Sequence, residues 1–150
     1  MAPLLLQRLS PADLPAFKAL LALFEEVFEP EPGPRPGDAH LSRLLARPDF
    51  IVLAALRGGI VLGGLTAYLL ESPTHPRPMT YLYDLAVAAA HQRQGIARQL
   101  IGSLLEHSRA LGAYEVFVQA DEEDAHALAF YRSTGAAEAQ VRQYSYPLDS

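Results

Sequence analysis

The residues best placed to do chemistry lie between Asp84 and Arg98. Gln92-Arg93-Gln94-Gly95-Ile96-Ala97 follows an apolar, strand-like run and opens a segment with helical spacing. A helix N-terminus offers unpaired backbone N–H groups at the positive end of its dipole, which makes it a natural seat for an anion. Gly95 lets the backbone approach a phosphate, Ala97 is too small to push it away, and Arg93 and Arg98 add positive charge. The same pattern also fits a plain strand–turn–helix with one glycine. It is not a Walker loop, because the lysine and hydroxyl residue are missing. Nor is it a dinucleotide fingerprint, which needs two further glycines.

Asp84 is the second candidate. It interrupts the run Tyr81-Leu82-Tyr83-Asp84-Leu85-Ala86-Val87. A carboxylate buried in an apolar strand is costly unless paired, so a bound cation or a nearby arginine or tyrosine must offset it. Two acidic runs, Glu25-Glu26 with Glu29 and Asp121-Glu122-Glu123-Asp124, read equally well as solvated faces or helix caps. His40, His75, His91, His107 and His126 are scattered, with no spacing that suggests a metal site.

These groups need a frame to hold them. Leu4 to Leu9 reads as a first strand, followed by a capping box at Ser10 and Asp13 with Pro11 at the first helical position. Leu14, Phe17, Leu21, Phe24 and Phe28 then form one helical stripe. Glu29 to Gly37 alternates proline with other residues and must be a loop. Asp38 is expected to cap a short helix bearing Leu41, Leu44 and Leu45, which Pro48 ends. Phe50 to Leu56 and Ile60 to Leu70, separated by Arg57-Gly58-Gly59, form a hairpin signal. A loop from Glu71 to Pro78 leads to a strand at Thr80 to Val87.

Ile96, Leu100, Ile101, Leu104, Leu105 and Leu111 mark a helix stopped by Gly112. Tyr114 to Ala120 is a strand, Asp124 caps a helix running to about Thr134, and a last strand is expected within Ala137 to Tyr146. The order β-α-α-β-β-β-α-β-α-β indicates an α/β (α+β) fold on one mixed, mostly antiparallel sheet with about four helices. A length of 150 residues suits a single domain spanning 1–150.

Composition narrows the function. The net charge is −5, and a nucleic-acid binder would normally carry a basic surplus. The same charge favours a cationic small-molecule partner. The longest uncharged apolar stretch, Gly58 to Leu70, is too short to span a membrane. The start, Met1 to Arg8, has no basic residue ahead of its apolar run and does not read as a signal peptide. A cytoplasmic protein is expected, and the absence of cysteine fits a reducing compartment.

Gln92-x-x-Gly95-x-Ala97 after Leu85-Ala86-Val87 resembles the acetyl-CoA signature of the GNAT acetyltransferases. Asp124-x-x-Ala127-x-x-Phe130-Tyr131-x-x-x-Gly135 resembles that family's late helix, and the element order agrees over essentially the whole chain. The resemblance implies that Leu85, Ala86 and Val87 pair with the pantetheine arm of coenzyme A. It implies that Gln92, Arg93, Gln94, Gly95, Ile96, Ala97 and Arg98 surround the pyrophosphate, with Asp124 near the cofactor, and that Tyr131 protonates or hydrogen-bonds the leaving thiolate. A chain without cysteine has no Cys acyl-enzyme, and no serine sits in a Gly-x-Ser-x-Gly elbow, so direct attack by an amine is the simplest route. A carboxylate must then take the amine proton, and Asp84 is the leading candidate.

The phrase from Tyr81 to Val87, with His91 to Ala97, Leu111 to Tyr114 and Val118 to Asp121, resembles the aminoglycoside 3-N-acetyltransferases of GNAT type. In that branch the aspartate matching Asp84 contacts the substrate amine. Tyr83 would lie beside it, and Asp121, Glu122, Glu123, Glu25 and Glu29 would form an acidic rim for a polycationic sugar. The proline-dense loop and the Glu122-Glu123 pair depart from the branch and leave the antibiotic range open. Another small amine (a polyamine, an amino acid or a peptide N-terminus) as acceptor, or a non-catalytic CoA-binding sensor, are the alternatives. A strand at Val141 to Tyr146 would also allow pairing across a homodimer.

Overall fold

In a computed structural model describing residues 2–149, the chain falls into two compact units, one ending at Gln119 and one beginning at Ala120. In the first unit, β1 (Leu5–Arg8) leads to Ser10, whose backbone N–H donates to the Asp13 carboxylate at 2.8 Å. This half of the expected capping box starts a short 3₁₀ turn at Pro11–Asp13, which passes directly into α1 (Leu14–Phe28). Phe17, Leu20, Leu23 and Phe24 are the buried stripe of α1. Glu29 closes that helix in a left-handed conformation, its N–H donating to Glu25 O at 3.1 Å.

The next helix, α2 (Asp38–Ala46), corrects one expectation. Gly37 holds the cap position and Asp38 is already inside the helix. Its carboxylate lies 3.0 Å from Lys18 Nζ and complements the dipole from within the first turn. A sequence pattern places an acidic residue near a helix start more easily than it separates the cap from the first turn.

Strands β2 (Phe50–Arg57) and β3 (Ile60–Leu70) pair through a turn at Gly58 and Gly59. Both glycines have positive φ, 58° and 78°, as a tight hairpin connection demands. β4 (Met79–Val87) joins β3 antiparallel, and β5 (Glu115–Val118) joins β4 parallel. The sheet order is β1-β2-β3-β4-β5. The long helix α3 (Ile96–Ala110) supplies the crossover that a parallel pair requires.

Burial explains why β2 shows no apolar–polar alternation. Phe50 through Ala55 are all buried, because the sheet is covered on both faces. Phe50, Val52 and Ala54 pack with α1 and α2, while Ser108 of α3 reaches Thr80 of β4 at 2.8 Å in the buried interior. Gly64 of β3 is part of this design. A Cβ there would lie 2.7 Å from Leu20 side-chain atoms of α1 and 2.7 Å from Leu53 O.

The second unit contains α4 (Ala125–Ser133), capped by Asp124, whose Oδ1 accepts from Ala127 N at 3.0 Å. The strand expected within Ala137 to Tyr146 is not formed. Val141, Tyr144 and Tyr146 are 72%, 78% and 87% exposed. Alternation and aromatic content give a segment strand propensity, but a strand exists only where a partner supplies its hydrogen bonds. Among the described residues none pairs with it.

Gly64→Ala is expected to destabilise the protein by about 1–3 kcal/mol, because the new methyl meets backbone as well as a flexible leucine. A thermal melt should show Tm lower by several degrees; an unchanged Tm would mean that α1 moves away freely.

Candidate active site

One extra residue in β4 builds the site. Leu82 pairs with Ala67 and Asp84 with Thr66, so Tyr83 is left over as a bulge. Strand residues alternate between faces, and one inserted residue exchanges the faces beyond it. Ahead of the bulge Tyr81 shares a face with Tyr68, while Thr80 turns to α3. Beyond it the phase is reversed, and Asp84 and Ala86 lie on the α1 side. Without the bulge Asp84 would turn toward the α3 side.

Tyr83 and Asp84 therefore line the same cleft, of about 430 Å³, with Phe17, Phe24 and Phe28 of α1 and Thr66 and Tyr68 of β3. Tyr83 is 59% exposed at its mouth, and its ring stands edge-on to both Tyr68 and Tyr81. Asp84 is half-buried. Thr66 Oγ1 donates to its Oδ2 at 2.8 Å, and no cation pairs with it among the described residues. Burial raises the Asp84 pKa above the usual carboxylate value, and the Thr66 hydrogen bond opposes that rise. Burial likewise raises the Tyr68 pKa, helped by the nearby Tyr83 and Asp84. The result is a carboxylate with spare acceptor capacity in an aromatic cleft, suited to an ammonium group.

Thr66 and Tyr68 were not foreseen as site residues. They sit in an apolar strand, and only the register with β4 brings them to Asp84. Glu25 does line the cleft, but Arg35 of the proline loop engages it through Nε and Nη2. Glu29, at the end of α1, does not line it. A second cleft, of about 480 Å³ beside Ile60, offers Asp13 as its carboxylate, which Ser10 and Gln7 already occupy.

The pairing of β4 with β5 stops at Leu82 and Val118, whereas β3 accompanies β4 to Val87. From Tyr83 onward the other edge of β4, including Leu85, Ala86 and Val87, has no strand partner among the described residues. Gln92 Nε2 donates to Val87 O at 3.1 Å and braces the exit of that strand. Arg93 and Gly95 then take positive φ values of 63° and 80°, and a Cβ at Gly95 would meet nothing within 4 Å. Gln99 N donates to Gly95 O at 3.0 Å, the first bond of α3. The N–H groups of Ile96, Ala97 and Arg98 thus precede the helical ladder. Ile96 is buried and anchors the turn; Arg93, Gln94 and Arg98 are exposed. A backbone cradle with this shape fits a pyrophosphate.

Tyr131 lies on α4 and Asp121, Glu122, Glu123 and Asp124 immediately before it, all in the second unit. The four acidic residues are exposed. Burial raises the Tyr131 pKa, with the charge of Asp124 adding to it, so its hydroxyl holds its proton.

Gln92 to Arg98 thus turn from β4 into α3, and Asp124 to Gly135 form and end α4. The profile of the acetyltransferase (GNAT) family matches residues 16–136. The aminoglycoside acetyltransferase meta-AAC0020, from an uncultured soil metagenomic sample, has 45% identity over 97% of each chain with a TM-score of 0.94 in its trehalose complex. It has also been solved with sisomicin, at 44% identity. A second such enzyme, HMB0005, also from an uncultured soil metagenomic sample, has 43% identity over 98% of this chain and 99% of its own, with a TM-score of 0.91. The ribosomal protein bS18-alanine N-acetyltransferase of Escherichia coli K12 is 33% identical over 66 residues, 44% of this chain and 45% of that protein. This chain thus matches less than half the length of that curated relative. With a five-stranded mixed sheet among the described residues, a positive-φ turn at Gly95 leading into α3 and a family match across residues 16–136, the chain belongs to the GNAT family of acetyltransferases, whose members draw the acetyl group from acetyl-CoA.

Proposed function

We propose that the protein acetylates an amine of aminoglycoside antibiotics, the 3-amino group in particular, by direct transfer from acetyl-CoA. The observation that carries this reading is Asp84, a half-buried carboxylate that has no cation partner among the described residues and opens into an aromatic cleft. Identity of 43–45% to aminoglycoside acetyltransferases over nearly the full chain supports the acceptor class. Because the family match spans both compact units, we treat residues 1–150 as one functional domain.

Acetyl-CoA supplies the acyl group as a thioester. The free edge of β4 at Leu85 to Val87 receives the pantetheine amides, and the amides of Ile96 to Arg98 receive the pyrophosphate. Asp84 first holds the acceptor as its ammonium form and then takes the proton that the attacking nitrogen must lose. Tyr131 donates its proton to the sulfur as the carbon–sulfur bond breaks. Thr66 keeps the Asp84 carboxylate oriented and limits how far burial raises its pKa.

Three outcomes test this reading. A thiol-release assay with acetyl-CoA and sisomicin should show Asp84→Asn reduced by about 10²–10⁴-fold, the usual worth of a general base, with coenzyme A affinity nearly unchanged. Near-normal turnover of that variant would make Asp84 structural. Tyr131→Phe should lower kcat by about 10²-fold if it is the acid, and an unchanged kcat would assign that proton to water.

The third outcome is a pH profile. The base works only as carboxylate, so kcat/KM should fall as pH drops through the Asp84 pKa. Thr66→Val removes the hydrogen bond that lowers that pKa, so the acidic limb should move to higher pH. A limb that stays in place would mean another group sets it.

A further inference from the structure

Glu25 and Arg35 stand on the rim of the cleft that holds Asp84, each with 45% of its side chain exposed. Arg35 engages Glu25 through Nε and through Nη2, the latter at 3.3 Å. The same guanidinium donates from Nη2 to Glu31 O at 3.0 Å and from Nη1 to Gly33 O at 3.4 Å. It therefore ties the proline loop to α1. Yet Pro30, Pro32, Pro34 and Pro36 restrict that loop by themselves, because each fixes its own φ and limits the residue before it.

We infer that Arg35 keeps the place of a second acceptor ammonium at Glu25, which makes the Glu25–Arg35 pair a specificity element for polycationic acceptors. The inference rests on the assignment of this cleft to the acceptor. An acceptor with its reacting amine at Asp84 and a further ammonium reaching the rim displaces the guanidinium from Glu25. Solvent-exposed ion pairs contribute little net stability, so exchanging one cation for another at Glu25 costs the protein little. An acceptor with a single amine offers no replacement and leaves Arg35 where it is. Lys18, the other cation lining the cleft, is already held by Asp38 at 3.0 Å.

Calorimetric titration of the full chain with sisomicin, and with glucosamine as a single-amine probe, tests this without depending on turnover. Glu25→Gln should weaken sisomicin binding about three- to fivefold, the size of an exposed ion pair, and leave glucosamine binding unchanged. Arg35→Gln removes the competing cation and should leave sisomicin binding equal or tighter. The inference is overturned if Glu25→Gln affects both probes alike or neither, or if sisomicin does not bind the wild-type protein. It is also overturned if Arg35→Gln weakens both probes together, which would make the guanidinium a loop fastener. Failure of the acceptor assignment itself has a different signature, an Asp84→Asn variant that binds both probes as the wild type does. Thermal melts of each variant separate these results from loss of folding.

Discussion

Opposite Thr66, strand β4 carries one residue more than β3, and the site depends on that slip. A regular strand would align Asp84 with Thr80 and Leu82, on the face that meets α3. The bulge reverses the phase and delivers two consecutive side chains, Tyr83 and Asp84, to one cleft. An aromatic wall and a carboxylate from neighbouring positions are difficult to obtain from a strand in any other way. The partial burial that follows from this placement raises the carboxylate's pKa, and Thr66, the residue opposite the bulge, moderates it.

The same strand changes character along its length. Up to Leu82 it is an interior strand, paired on both edges. Beyond Leu82 it keeps β3 on one side and, among the described residues, has no strand partner on the other. Unpaired backbone groups of this kind need a partner, and a ligand with amides along its length meets that need. The turn at Arg93 and Gly95 and the start of α3 follow within a few residues. The cleft at Asp84 and the turn at Gly95 are therefore consecutive features of one continuous stretch of chain.

Local signals in the sequence were read correctly where the physics is local. The Gly58-Gly59 hairpin, the pairing of Ser10 with Asp13, the Asp124 cap and the glycine-led start of α3 each involve residues within four positions. What the sequence left hidden depends on distant partners. The bulge is invisible without the register of β3, since Tyr83 is an ordinary strand residue by type. Thr66 and Tyr68 join the site only through that register, and Glu25 meets Arg35 across ten positions and a loop. The segment from Ala137 to Tyr146 errs in the opposite direction. Its residue types favour a strand, but propensity does not supply a neighbour.

Gly64 gives this architecture an unusual kind of gauge. By lacking a side chain it lets Leu20 settle against the backbone of β3, which sets how closely α1 rides over the sheet. Phe17, Leu21, Phe24 and Phe28 project from that helix and form one wall of the cleft that Tyr68, Tyr83 and Asp84 close from below. The width of the cleft thus depends on a single absent methyl group, two residues from Thr66 and outside the cleft lining. A larger residue at that position would push α1 outward and widen the cleft without altering any side chain on its walls.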